Sequence, residues 1–299
     1  MPIFWSLGLK FLTKNQGYKQ FGYFCLMKIL KGIFDFYLDA SIHVAFGVLA
    51  LVHITVLSLN ISLDLHLSWF LFYGTIVCYN FVKYGVEAKK YVLVANRYHK
   101  NIQFFSFIAA GLMLYHAYFL TLEVWLGVVV LALVSGLYAI PVLPRAKNLR
   151  SWGGFKIFIV ALVWMGATVL LPVLSVLQEF AWDVKVVAFQ RFIFVLVLLI
   201  PFEIRDLEYD DPELKTLPQR YGVSNTKVFG SFMVLLFFFA TFLKDTISVA
   251  DVVSKGILFL VLGTLMYATK RNQSNYFSSF WVEGIPLGWY MVLLLLGWF

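Results

Sequence analysis

Charge is what this 299-residue sequence has least of. Only 13% of its residues are Asp, Glu, Lys or Arg, against 61% hydrophobic residues, whereas soluble domains carry about 25% charged residues. With a mean hydropathy of +0.83, that shortage excludes an ordinary soluble globule and leaves a polytopic membrane protein. Cysteine is almost missing too. Cys25 and Cys78 are too few for a disulfide framework, and Cys78 lies inside an apolar run, so both read as inert thiols. The chain shows no nucleophile patterned beside a base, no Cys/His metal spacing and no glycine-rich phosphate loop. Hydrolase and nucleotide-driven pump readings are therefore weak. A tandem repeat, a low-complexity segment and an inverted repeat of the transporter kind are also lacking. Residues 1–34 hold five lysines among scattered aromatics and no small-residue cleavage site, which predicts an amphipathic cytoplasmic segment at the interface rather than a cleaved signal.

What the chain does have is apolar runs. Windows near the ~20 residues needed to cross a hydrocarbon core fall at 38–58, 68–84, 102–120, 124–143, 155–176, 187–202, 228–244, 251–269 and 280–298. The third and fourth nearly merge, with Thr121, Leu122 and Glu123 as the only turn between them. The expectation is an all-α bundle of nine transmembrane helices, forming one domain over 35–299. Loop charge tests that count, because cytoplasmic loops hold the Lys and Arg. With an inside amino terminus, 20 of the 24 basic residues fall on the cytoplasmic side, and only Lys185, Arg191, Lys244 and Lys255 on the other. The carboxyl terminus is then outside, and a bacterial inner membrane is the expected location. The net charge of +8 is accounted for by this asymmetry, so no nucleic-acid partner is read from it.

The acids are as concentrated as the bases are sorted. Six of the sixteen, Glu203, Asp206, Glu208, Asp210, Asp211 and Glu213, follow directly on the apolar run VLVLLIPF. A carboxylate at membrane depth is expensive and is by default a functional candidate. If this stretch is helical, Glu203, Asp206 and Asp210 share a face. Carboxylates suit magnesium, which is commonly held by one or two of them together with substrate phosphates. The basic residues Lys83, Lys89, Lys90, Arg145, Lys147, Arg150 and Lys156 lie in the neighbouring cytoplasmic loops and would complete a diphosphate cradle. A solvated acidic loop and topology-setting lysines are the plainer alternative. Glu283, in FWVEGIP, reads as an interfacial carboxylate more readily than as a functional one. His43 and His53 lie ten residues apart in the first window, do not share a helix face, and are expected to serve packing or hydrogen bonding.

The stretch IPFEIRDLEYDDPELKTLPQRYG resembles the second acidic motif of the UbiA superfamily of intramembrane prenyltransferases. Asp206 and Asp210 match its spaced aspartates, Glu203 stands where many members have another acid, and Lys215, Thr216, Leu217, Arg220 and Gly222 match the basic tract that follows. The turn LYAIPVLPRAKNLRSWGGFK, with Tyr138, Pro141, Arg145, Lys147, Arg150 and Lys156, is similar to the family's segment after its fourth helix. The resemblance implies transfer of an isoprenyl group from a polyprenyl diphosphate to a membrane-accessible, often aromatic acceptor. It also implies magnesium on Glu203, Asp206 and Asp210, with Asp206 and Asp210 catalytic, and diphosphate contacts from Asn80, Lys83, Arg145, Lys147 and Arg150. One motif departs. Where the family has Asn-x-x-x-Asp-x-x-x-Asp, this chain reads YNFVKYGVEAKK: Asn80 matches, and Tyr84 and Ala88 replace the aspartates. Either lysines stand in as counter-charges, or the chain keeps the fold as a lipid-binding protein without the reaction.

Overall fold

The computed structural model describes residues 27–86, 97–139, 156–176, 179–210, 214–274 and 276–297. Among them there is no strand, only helix and short connections. Helix α1 covers residues 27–39 and bends at Ala40 and Ser41, where Ser41 is left-handed with φ 59°. The rods that follow are α2 (Ile42–Leu59), α3 (Leu65–Asn80, prolonged by a π-helical turn Phe81–Val86), α4 (Arg97–Ala117) and α5 (Leu122–Ala139). Next come α6 (Lys156–Met165, running through a π-helical stretch Gly166–Leu170 to Leu171–Ser175), α7 (Trp182–Arg205) and α8 (Leu217–Phe239). The last two are α9 (Val249–Ala268) and α10, a π-helical turn Phe277–Val282 followed by Ile285–Leu296.

Seven of these helices, counting their 3-10 and π-helical extensions, are long and apolar enough to cross a membrane: Ile42–Leu59, Leu65–Tyr84, Lys156–Ser175, Trp182–Glu208, Leu217–Leu243, Val249–Ala268 and Phe277–Leu296. The apolar stretch Leu122–Leu137 of α5 is shorter, and α4 opens on the polar run RYHKNIQ. Each of the nine predicted windows thus coincides with a rod, while length and composition qualify seven of them as spans. The α4–α5 turn falls at 118–121, slightly before the predicted one, because Thr121 already starts the next helix by accepting the Trp125 N–H at 3.0 Å.

Helix α7 is the inner rod. Helices α6 and α8 pack on its two sides, and Phe194, Leu196, Ile200 and Ile204 on it are fully buried. Its buried surface is apolar apart from Gln190, Arg191 and Glu203, which are buried on it as well. Rods on the outside expose large apolar residues, for example Leu126, Val130 and Leu133 on α5, which suits a surface solvated by lipid. Rods adjacent in sequence pack against one another along most of the chain, and α10 returns to pack on α2. Ends that the charge pattern assigns to one face do meet: Tyr276 reaches Asp35, Lys83 reaches Asp39, and Lys156 reaches Asp210. This end of the bundle is called the mouth below.

Candidate functional site at the mouth of the bundle

The acidic stretch is helical only in part. α7 runs on three residues beyond the predicted end of its window, through Pro201 to Arg205, and then tightens into a 3-10 turn, Asp206–Glu208. Pro201 costs the helix one N–H donor, and its own carbonyl accepts from Gln273 Nε2 at 2.9 Å. The tract DLEYDDP has little to continue a helix. The chain closes instead on Asp206, whose carbonyl accepts the N–H groups of Tyr209 and Asp210 at 2.9 and 2.8 Å.

Because the winding changes at residue 206, the expected three-acid face does not form. Glu203, 3% exposed, and Asp210 converge on the same partner, the Lys156 ammonium at the start of α6, 3.3 Å from Glu203 Oε1 and 3.5 Å from Asp210 Oδ2. Asp206 turns instead to its neighbour Arg205, which donates through Nε at 2.7 Å and through a terminal nitrogen at 3.2 Å. Among the described residues no three His, Cys, Asp or Glu side chains gather as a metal cage. As arranged, the described carboxylates do not fit magnesium: the place between the two that converge holds an ammonium.

The rest of the motif closes the turn. Lys215 is left-handed with φ 43°, Gln219 Oε1 accepts the Thr216 N–H at 2.9 Å, and Gln219 Nε2 donates to the Asp210 carbonyl at 3.2 Å. Gly222 breaks α8 with φ 79° and ψ 163°, a conformation that only glycine adopts without strain.

Asn80, the residue that matches the family's first motif, is 4% exposed and fully engaged. Its Oδ1 accepts from Ser41 Oγ at 2.8 Å, while Nδ2 donates to the Ala40 carbonyl at 3.1 Å and to Ser106 Oγ at 2.9 Å. It knits the ends of α2, α3 and α4 together. One turn on, Lys83 pairs with Asp39 at 3.3 Å. Tyr84, in the place of the family's aspartate, donates to the Asp39 carbonyl at 3.0 Å, and Tyr98 donates to Asp39 Oδ2 at 2.9 Å. The structure thus brings Lys156, Glu203 and Asp210 into one cluster and Asn80 and Lys83 to another part of the same mouth. Arg145, Lys147 and Arg150 lie outside the described residues.

Asp35 and Asp39 are what the sequence reading missed. IFDFYLDA carries these two acids four apart, hence on one face, and that spacing was the available signal. Tyr276 donates to Asp35 at 2.7 Å, which raises the Tyr276 phenol above its usual value. A second unforeseen feature is a cavity of about 560 Å³ beside α9 and α10, lined by Ile257, Val261, Leu287 and Trp289 together with Tyr37 and His43. His43 Nε2 lies 2.9 Å from the Phe280 carbonyl, so it carries the ring proton, and Nδ1 is left to accept from the Tyr37 hydroxyl at 2.8 Å. Burial, and then the charge of Glu283, raise the Tyr37 phenol. Hydrogen bonding is thus the role of His43, and of His53, whose Nδ1 meets the Leu49 carbonyl at 2.9 Å.

No family model and no curated protein matches this sequence. A search of solved structures finds a likeness to digeranylgeranylglyceryl phosphate synthase, with a TM-score of 0.52 and 16% identity, covering 88% of this chain and 96% of that one. The chain has a UbiA-like fold. At that identity the likeness speaks for the fold alone, and both chains are spanned almost whole. In this bundle the ends of α3 and α7 meet at the mouth, as the Tyr84–Asp39 contact and the Glu203–Lys156–Asp210 cluster.

Proposed function

We propose that the protein is a UbiA-like membrane transferase that moves an isoprenyl group from a polyprenyl diphosphate to an acceptor reached from the bilayer. The carrying observation is the Glu203–Lys156–Asp210 cluster, with Glu203 buried, at the mouth of such a bundle. The structural neighbour is by name a synthase of digeranylgeranylglyceryl phosphate, which supports isoprenyl chains as the substrate class. In this reading Lys83 and Lys156, with Arg145, Lys147 and Arg150 from the basic turn, neutralise the diphosphate as it leaves. Asn80 orients the base of the site, and Asp206 and Asp210 order the loop that covers it. All nine rods span a bacterial inner membrane, with the mouth and the amino terminus cytoplasmic and the carboxyl terminus outside. Magnesium is the family's metal; with Lys156 between Glu203 and Asp210, this reading gives the counter-charge at those two acids to the lysine.

A second reading, a protein of the same fold that binds an isoprenoid lipid without turning it over, is favoured by one observation. Tyr84 and the Asp39–Lys83 pair fill the position of the first acidic motif. Purified protein in lipid nanodiscs, given radiolabelled geranylgeranyl diphosphate and a membrane extract as acceptor source, separates the two. Release of diphosphate with label moving into lipid is expected. Binding without release would favour the second reading. Neither binding nor release, together with no effect of Asp206→Asn and Asp210→Asn in cells, would end the transferase reading.

A further inference from the structure

We infer that Lys156 is a resident cation of the acidic site, its ammonium standing between Glu203 and Asp210 where a divalent ion would otherwise bridge them. The inference concerns the same site as the transferase reading but needs only the geometry of the mouth. Two carboxylates, 3% and 12% exposed, face one ammonium that is itself 18% exposed, at 3.3 and 3.5 Å. Carboxylates brought this close in a poorly solvated place repel unless a positive charge lies between them. That charge is covalently part of the chain. Lys156 is the first described residue of α6, a helix packed along α7, so rigid backbone sets its position relative to Glu203.

Magnesium needs oxygen ligands at ~2.0–2.1 Å in near-octahedral array. Such an ion and the ammonium cannot both occupy the gap, so metal entry requires Lys156 to leave. Among the described residues the next carboxylate along, Asp206, is engaged by Arg205 through two nitrogens and offers no easy replacement ligand. The cluster therefore differs from a metal site in kind: its counter-charge is monovalent and always present. A diphosphate would meet that ammonium directly, without first recruiting a metal to these two acids.

Manganese serves as a paramagnetic probe for magnesium. Titrated by electron paramagnetic resonance into the full-length protein in detergent, with no isoprenoid present, it is expected to find no tight site in the wild type. Lys156→Gln is expected to gain one site, at least ~10-fold tighter than any in the wild type, and Lys156→Gln combined with Glu203→Gln to lose it again. Lys156→Arg keeps the charge and should stay metal-free; with size-exclusion profiles it guards against misfolding of the Gln variant. A wild type that binds manganese tightly and loses it in Glu203→Gln would overturn the inference, as would a folded Lys156→Gln that gains nothing. Diphosphate release in excess chelator is the separate arm. Release that persists supports the inference, and release that vanishes and returns with magnesium overturns it while sparing the transferase reading. With manganese behaving as expected, absence of release in either condition counts against the transferase reading alone.

Discussion

A lysine–carboxylate network sits at each end of the bundle, and the two are built to opposite standards. Away from the mouth, Lys244 and Lys255 grip the two oxygens of Asp251, each at 2.9 Å. Lys244 also donates to the Ser58 carbonyl and Lys255 to Gln190 Oε1, while Gln190 Nε2 donates to Phe237 and Thr241. Next in sequence, Arg191 reaches the Leu51 carbonyl and the Thr55 and Thr168 hydroxyls. All of these side chains are buried. At the mouth two pairs are wetter, Lys83 and Asp39 at 45% and 42% exposed and Arg205 and Asp206 at 35% and 31%, and only the Lys156 cluster is shielded, with Glu203 at 3%. Burial fixes a partner, because a charge in hydrocarbon that loses its counter-ion has no water to turn to. Exposure leaves partners exchangeable. One network fastens rods together, and the other keeps water-exposed pairs whose partners can exchange.

The comparison can be broken by mutation, and the largest stability effect is expected at the buried end. Asp251→Ala strands two lysines and should cost about 3–5 kcal/mol, visible as a steep fall in melting temperature in detergent. A loss of less than about 1 kcal/mol would mean that the network is wetter than its burial implies. Next comes Gly284→Ala. A methyl group there would lie 2.7 Å from the Phe280 carbonyl oxygen, straining the turn within α10, and 3.3 Å from His43 Nε2 across the seam with α2, at a cost of about 1–3 kcal/mol, and the same melting assay reads it. Asp39→Ala and Lys83→Ala should each shift stability by about 0.5 kcal/mol or less. At the mouth the expected effect is on turnover instead. Glu203→Gln should lower diphosphate release about 100-fold while the protein still purifies as a single species; a variant as active as the wild type would remove Glu203 from the site.

The contrast also marks what a one-dimensional reading can reach. Rods were legible because hydrocarbon imposes length and apolarity on each of them separately, and loop charge sorts their ends. The acidic stretch was legible because acids so close to an apolar run are costly anywhere. Partnerships were not. Lys156 and Glu203 are 47 residues apart, and so placed neither periodicity nor spacing can join them. The register error at Asp206 has a local cause, the passage from α-helical to 3-10 winding just after Arg205, which side-chain pattern does not record. Asn80 teaches a different lesson. Resemblance gives it a substrate, and its three hydrogen bonds give it a scaffold to hold.

The packing of α10 on α2 has a further consequence. Contacts run in step along the two rods, from His43 against Phe280, through Gly47 against Glu283 and Pro286, to His53 against Tyr290. The first and last rods are therefore parallel, whereas rods joined by a short turn must run in opposite directions. Helix dipoles offset one another in an antiparallel pair and repel in a parallel one. This seam thus gains nothing from backbone electrostatics and has no connecting turn to hold it. Its cohesion rests on close approach at Gly47 and Gly284, a fit in which small residues bring two backbones together.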